Sequence, residues 1–97
     1  MTINDIKVKR ITADEAARIG ADQWEVLIDE EPLEEEWLVE EQEAGYILEG
    51  EAVITVNGEE LVLTPGTLVS FPKGLTCIWK TPKYMKKTFK EGFDFEV

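Results

Sequence analysis

Apolar and polar residues alternate with a period of two over most of this chain, and turn residues recur every eight to twelve positions. That pattern predicts many short strands in an all-β architecture. Asp5 to Ile11 alternates and reads as a short strand. Next comes Thr12-Ala-Asp-Glu15, where the Thr12 hydroxyl can cap early helical amides while Glu15 reaches back to the Thr12 N–H. Ile11 is placed to staple onto Ala16, and Gly20 offers a left-handed stop, which predicts one helix over about Ala13 to Ile19. Beyond Gly20 the predicted strands are Trp24–Ile28, Glu35–Glu40, Tyr46–Leu48, Ala52–Val56, Glu60–Leu63, Thr67–Phe71, Leu75–Trp79, Tyr84–Phe89 and Phe93–Val97. Asn57-Gly58 signals a two-residue hairpin, because both central residues of a type I′ turn need positive φ. Thr64-Pro65-Gly66, Pro72-Lys73-Gly74 and Thr81-Pro82 mark further turns.

The length of 97 residues allows one core, so residues 1–97 are expected to form a single domain. A strand and helix over 5–20 precede a strand-rich body over about 24–97. One cysteine excludes an internal disulfide framework and suits a reducing cytosol. The N-terminus has no basic or apolar leader pattern, and no run is long enough to span a membrane, so a cytoplasmic location is expected. The net charge is −11, with no Lys or Arg between Arg18 and Lys73. Such a balance argues against nucleic-acid binding, which needs a cationic footprint. The acidic stretch reads first as a solubilising face; a basic partner or a divalent cation is the sharper alternative.

Two segments carry more specific information. Glu43-Ala-Gly-Tyr-Ile-Leu-Glu-Gly50 is followed, sixteen residues after Gly50, by Gly66, and then by Phe71-Pro-Lys-Gly-Leu-Thr-Cys-Ile-Trp79. Together they resemble the two motifs of the cupin superfamily. More narrowly they resemble small single-domain cupins related to ureidoglycine aminohydrolase and ethanolamine-utilisation protein Q. In that group Lys87-Thr88-Phe89 also falls at an expected place. The resemblance implies a jelly-roll-like cupin β-barrel, and it admits an enzyme acting on a ureido or amino compound. It also implies a metal site, from which this chain departs because it contains no histidine. Where the first motif has a His-x-His pair, six and four residues before its glutamate, this chain has Trp37 and Val39; the second motif's histidine position is Cys77. Glu43 and Cys77 alone are two ligands of mismatched hardness, so no metal or cofactor is assigned.

The leading expectation is a metal-free cupin that binds a small polar or carboxylate-bearing metabolite. Its pocket would be lined by Trp37, Glu43, Tyr46, Cys77, Trp79 and Lys87, with Glu43, Cys77 and Lys87 as candidates for any chemistry. Each has a plainer reading. Cys77 can be a small buried residue rather than a thiolate activated by Lys87. Glu43 can be a structural acceptor for Lys87 or Tyr46 rather than an acid–base group. Trp24, Trp37 and Trp79 can be core packing. Two alternatives stand beside this reading: a non-catalytic homodimeric interaction module using the acidic face and the Phe93, Phe95, Val97 stripe, and a metal-dependent enzyme with an atypical Glu43/Cys77 site helped by acids such as Glu36 or Glu41.

Overall fold

The computed structural model describes residues 1–96. Nine strands run in the order β1 (Lys7–Arg10), β2 (Glu25–Asp29), β3 (Leu33–Leu38), β4 (Glu43–Gly50), β5 (Ala52–Val56), β6 (Glu59–Leu63), β7 (Thr67–Phe71), β8 (Thr76–Thr81) and β9 (Met85–Glu91). Among the described residues one α-helix, α1 (Ala13–Ile19), lies between β1 and β2, followed by a short 3-10 turn at Ala21–Gln23. The ends of α1 are those the sequence predicts. Thr12 and Glu15 form the reciprocal cap, and Gly20 closes the helix at φ +82°. The Asn57-Gly58 turn also forms, with φ values of +51° and +81°.

The strands make two antiparallel sheets, ordered β1-β7-β4-β9-β2 and β3-β8-β5-β6. They face each other as a jelly-roll-like sandwich; among the described residues no strand pair bridges the two sheets. Alternation assigns the faces. Ile47, Val69, Phe71 and Met85 from the larger sheet meet Ile54, Leu63, Cys77 and Trp79 from the smaller one in the main core. On the outer face of the larger sheet, Tyr46 and Leu68 pack against Ala16 and Ala21, with Ile11, Trp24, Leu48 and Phe95 around them. Helix α1 therefore covers the back of the sheet whose front builds the interior.

Gly50 ends β4 opposite Met85, just beyond a register shift between Ile47 and Glu49 in the pairing with β9. Its φ is +71°, and a Cβ there would overlap the Tyr84 carbonyl. Only glycine allows this close crossing of two backbones.

The expected C-terminal strand does not form. Residues 93–96 are irregular, and Val97 lies outside the described residues. The segment is instead held by side chains. Gln42 donates to the Phe93 carbonyl at 2.6 Å, and Ser70 donates to Asp94 at 2.9 Å. Lys7 pairs with Asp94 at 2.7 Å and donates to the Phe95 carbonyl at 2.9 Å. Phe93 packs on Trp24 with ring centres 4.9 Å apart. Phe93 and Phe95 are thus used within the chain, and among the described residues this segment forms no edge strand.

Candidate functional site

One open side of the sandwich lies between β2 and β3, an edge strand of each sheet. A cavity of about 180 Å³ sits there, walled by Leu27 and Asp29 of β2, Leu33, Glu35 and Trp37 of β3, Glu43 of β4, Trp79 of β8, and Lys87 and Phe89 of β9. Each wall is one face of a strand, with residues spaced by two.

Lys87 is the centre of this arrangement. It sits in β9 with Leu27 on one side and Ile47 on the other, and it is only 6% exposed. Gly45 faces its stem: a Cβ there would touch the Lys87 Cδ at 4.0 Å. The Lys87 ammonium is 4.2 Å from the Trp79 ring centre, 5.6 Å from that of Phe89 and 5.7 Å from that of Trp37. These are cation–π distances, and they place the charge in a box of aromatic faces. Its one ion-pair partner among the described residues is Glu43, with Nζ to Oε2 at 3.6 Å. That is longer than a tight charge-assisted hydrogen bond. Burial pushes the Lys87 pKa down, against the attraction of Glu43. Burial pushes the Glu43 pKa up, against the attraction of Lys87. Both shifts move the pair toward its neutral forms.

A hydrogen-bond chain fixes the adjacent wall. Trp79 Nε1–H donates to Thr81 Oγ1 at 3.1 Å, and the Thr81 hydroxyl donates to Asp29 Oδ2 at 2.7 Å. The indole that faces Lys87 is therefore oriented by a relay ending on a carboxylate in the same cavity. Trp37 meets Phe71 and Trp79 edge-on, at 5.0 and 6.1 Å between ring centres, and lines the cavity beside Trp79.

Of the residues singled out in the sequence, Trp37, Glu43, Trp79 and Lys87 converge on the cavity. Tyr46 does not. It is one residue out of phase with Glu43, Gly45 and Ile47 on β4, so its ring lies on the opposite face with α1. Cys77 is buried in the main core, paired in register with Trp37, and is not part of the cavity wall. Burial raises its pKa to about 11, with Lys87 only partly opposing this. That direction favours the plainer reading of Cys77 as a small buried core residue over a thiolate activated by Lys87. Leu27, Asp29, Leu33, Glu35, Thr81 and Phe89 are additions from the structure. Asp29 and Thr81 share the strand phase of Leu27 and Trp79, a signal that the sequence carried but that needed the sheet pairing to be read.

The side chains present do not fit the metal of a typical cupin. Trp37 and Val39 have no donor to offer, the Cys77 thiol is held protonated, and an ammonium lies beside the Glu43 carboxylate. Among the described residues no group of three or more Cys, Asp or Glu side chains is arranged to hold a metal ion. Nor is any described helix long and apolar enough to cross a membrane.

Comparison with known proteins agrees with this architecture. Residues 18–89 match the model of the EutQ-like cupin domain. A DUF861 family protein from Thermotoga maritima superimposes with a TM-score of 0.81 at 31% identity, covering 89% of this chain and 98% of that one. A putative ethanolamine utilization protein Q from Salmonella typhimurium gives 0.60 at 17% identity, over 87% of this chain and 66% of that one. The EutQ protein of Clostridium difficile gives 0.57 at 18% identity, over 87% and 64%. No curated protein gave a significant match. With that model matched over most of its length, this chain belongs to the EutQ-like cupin domain family.

Proposed function

We infer that this cupin binds a small neutral polar molecule in the cavity between β2 and β3, without a metal ion. The observation that carries this reading is Lys87, a buried ammonium on the wall of a cavity of about 180 Å³ and boxed by aromatic rings. A cavity of this size suits a compound of about six heavy atoms, since one of about 150 Å³ accepts benzene. Trp37, Trp79 and Phe89 supply apolar walls, and Lys87 with Glu43 supplies the few polar groups that orient a ligand.

The electrostatics refine the expected ligand. Asp29, Glu35 and Glu43 share the cavity with one ammonium. A free carboxylate would enter a wall that is already net negative. A carbonyl or amide oxygen can accept a hydrogen bond from Lys87 without that repulsion. The positive charge that a metal supplies in other cupins is here carried by a side chain.

The test is a titration of the chain with propionamide, butanone and propionate, followed by the indole N–H resonances of Trp37 and Trp79. The neutral compounds are expected to shift both resonances and propionate to shift neither, and Lys87→Met is expected to abolish the response. If none of the three compounds moves either indole, the binding reading fails.

A second reading, as a non-catalytic homodimeric module, draws on β2. It ends its sheet, and Val26, Leu27 and Ile28 are all exposed along it. Unpaired apolar edges invite association. A monomer by sedimentation at high micromolar concentration removes that reading.

A further inference from the structure

Lys87 and Glu43 together have the geometry of an amine nucleophile with its own proton carrier. Lys87 Nζ is the one amine on the cavity wall, and the Glu43 carboxylate lies 3.6 Å from it. Aromatic rings surround the nitrogen, and Lys87 is 6% exposed. In such surroundings an ion pair loses most of the hydration that favours it in water. Transfer of one proton from nitrogen to carboxylate then costs far less than in bulk solvent. Buried lysines in apolar pockets are activated by this route. The opposite pKa shifts of the two groups, both caused first by burial, agree with it.

We propose that Lys87 captures a small aldehyde or ketone as an iminium, with Glu43 moving the protons. This rests on the cavity-binding reading above and names the compound class that the cavity takes. Glu43 first accepts a proton from the Lys87 ammonium, leaving a free amine and a carboxylic acid. The amine lone pair forms a C–N bond to the carbonyl carbon while the C=O π pair moves to oxygen, which takes the Glu43 proton. The carboxylate then removes a proton from nitrogen, giving a neutral carbinolamine. Returning that proton to the hydroxyl releases water, and the nitrogen lone pair closes the C=N bond. The sum is one carbonyl and one ammonium converted to one iminium and one water, with Glu43 ending as the carboxylate it began as. The product keeps a positive charge where the ammonium had it, beside Glu43 and over the Trp79 ring, so the box that holds the lysine also holds the adduct.

The experiment uses the full chain with one equivalent of butanal and sodium cyanoborohydride at pH 7, followed by peptide mapping of the butylated amines. A lysine side chain free in water holds only roughly one amine in two thousand unprotonated at that pH. Lys87 is expected to be butylated at least about tenfold more than the mean of Lys9, Lys73, Lys80, Lys83 and Lys90, which are exposed. Excess butanamide, neutral and unable to form an imine, is expected to suppress the Lys87 adduct alone. Lys87→Arg keeps the cation and is expected to keep the indole shifts with butanamide. Lys87 butylation at or below the level of the exposed lysines, with butanamide still shifting the Trp37 and Trp79 indoles, overturns covalent capture and leaves the binding reading standing. Absence of both the adduct and the shifts overturns the two together.

Discussion

The Lys87 ammonium lies 4.2 Å from the centre of the Trp79 ring, while the Trp79 N–H is held by Thr81 and, through it, by Asp29. One side chain thus meets a cation with its face and a carboxylate relay with its edge. The indole face is electron-rich and its N–H is a donor only, so each surface meets the charge it favours.

Removing half of the Lys87–Glu43 pair costs more than removing both. Glu43→Gln leaves a buried ammonium without its carboxylate, and a loss of about 3 kcal/mol at pH 7 by chemical denaturation is expected. The double variant Glu43→Gln/Lys87→Met replaces the pair by neutral groups of similar shape and is expected within about 1 kcal/mol of the parent. A double variant as unstable as Glu43→Gln contradicts the pairing.

The pH dependence of Glu43→Gln follows from the depressed Lys87 pKa. Without Glu43 the folded chain holds the Lys87 proton still less well, while the unfolded chain releases it only near pH 10.4. Between those two values the unfolded state binds more protons, so stability rises with pH. The deficit of Glu43→Gln relative to the parent is therefore expected to shrink as pH rises from 7 toward 10. Paired denaturation curves check this, and a deficit that widens speaks against a buried charged lysine.

Thr81→Val keeps the side-chain shape and removes the link between Trp79 and Asp29. The indole N–H is then left unpaired, which costs about 2 kcal/mol for a buried donor. Denaturation measures the loss. The Trp79 indole resonance is expected to move as well, and an unchanged resonance contradicts the relay.

Cys77 is expected to be inert in the folded chain. With its pKa raised to about 11, roughly one thiol in a thousand is ionised at pH 8, and the side chain is buried. Iodoacetamide is expected to label it in guanidinium and not in buffer over the same minutes. Rapid native labelling would restore the activated-thiolate reading.

Local signals were the legible part of this fold. Thr12, Glu15 and Gly20 set the ends of α1 because capping needs only neighbours in sequence, and Asn57-Gly58 set its turn for the same reason. The cavity was half legible. Trp37, Glu43, Trp79 and Lys87 were marked by motif position, but Asp29, Thr81 and Phe89 join them only through the pairing of β2 with β9 and β3 with β8. Tyr46 was misplaced for want of strand phase: a shift of one residue from Gly45 to Tyr46 exchanges the cavity for the helix-covered face. The Phe93–Phe95 stripe looked like a strand, yet Lys7, Gln42 and Ser70 take its polar groups first, contacts made across more than twenty residues of sequence.

Gly50 offers a check on the close backbone crossing at the end of β4. Gly50→Ala meets both a positive φ and the Tyr84 backbone, so about 3 kcal/mol of destabilisation is expected. Gly58→Ala meets only the positive φ, with open space around it, and about 1 kcal/mol is expected. Equal effects would contradict the close crossing.

Whether a lysine has taken over the role of the ion is decided most directly by metal content. The chain is incubated with one equivalent of Mn²⁺, Zn²⁺ or Fe²⁺, desalted and assayed by elemental analysis. Far less than one ion per chain is the expected result for all three. One ion retained per chain, and lost on Glu43→Gln, would mean that the charge beside Glu43 is a metal's and not that of Lys87.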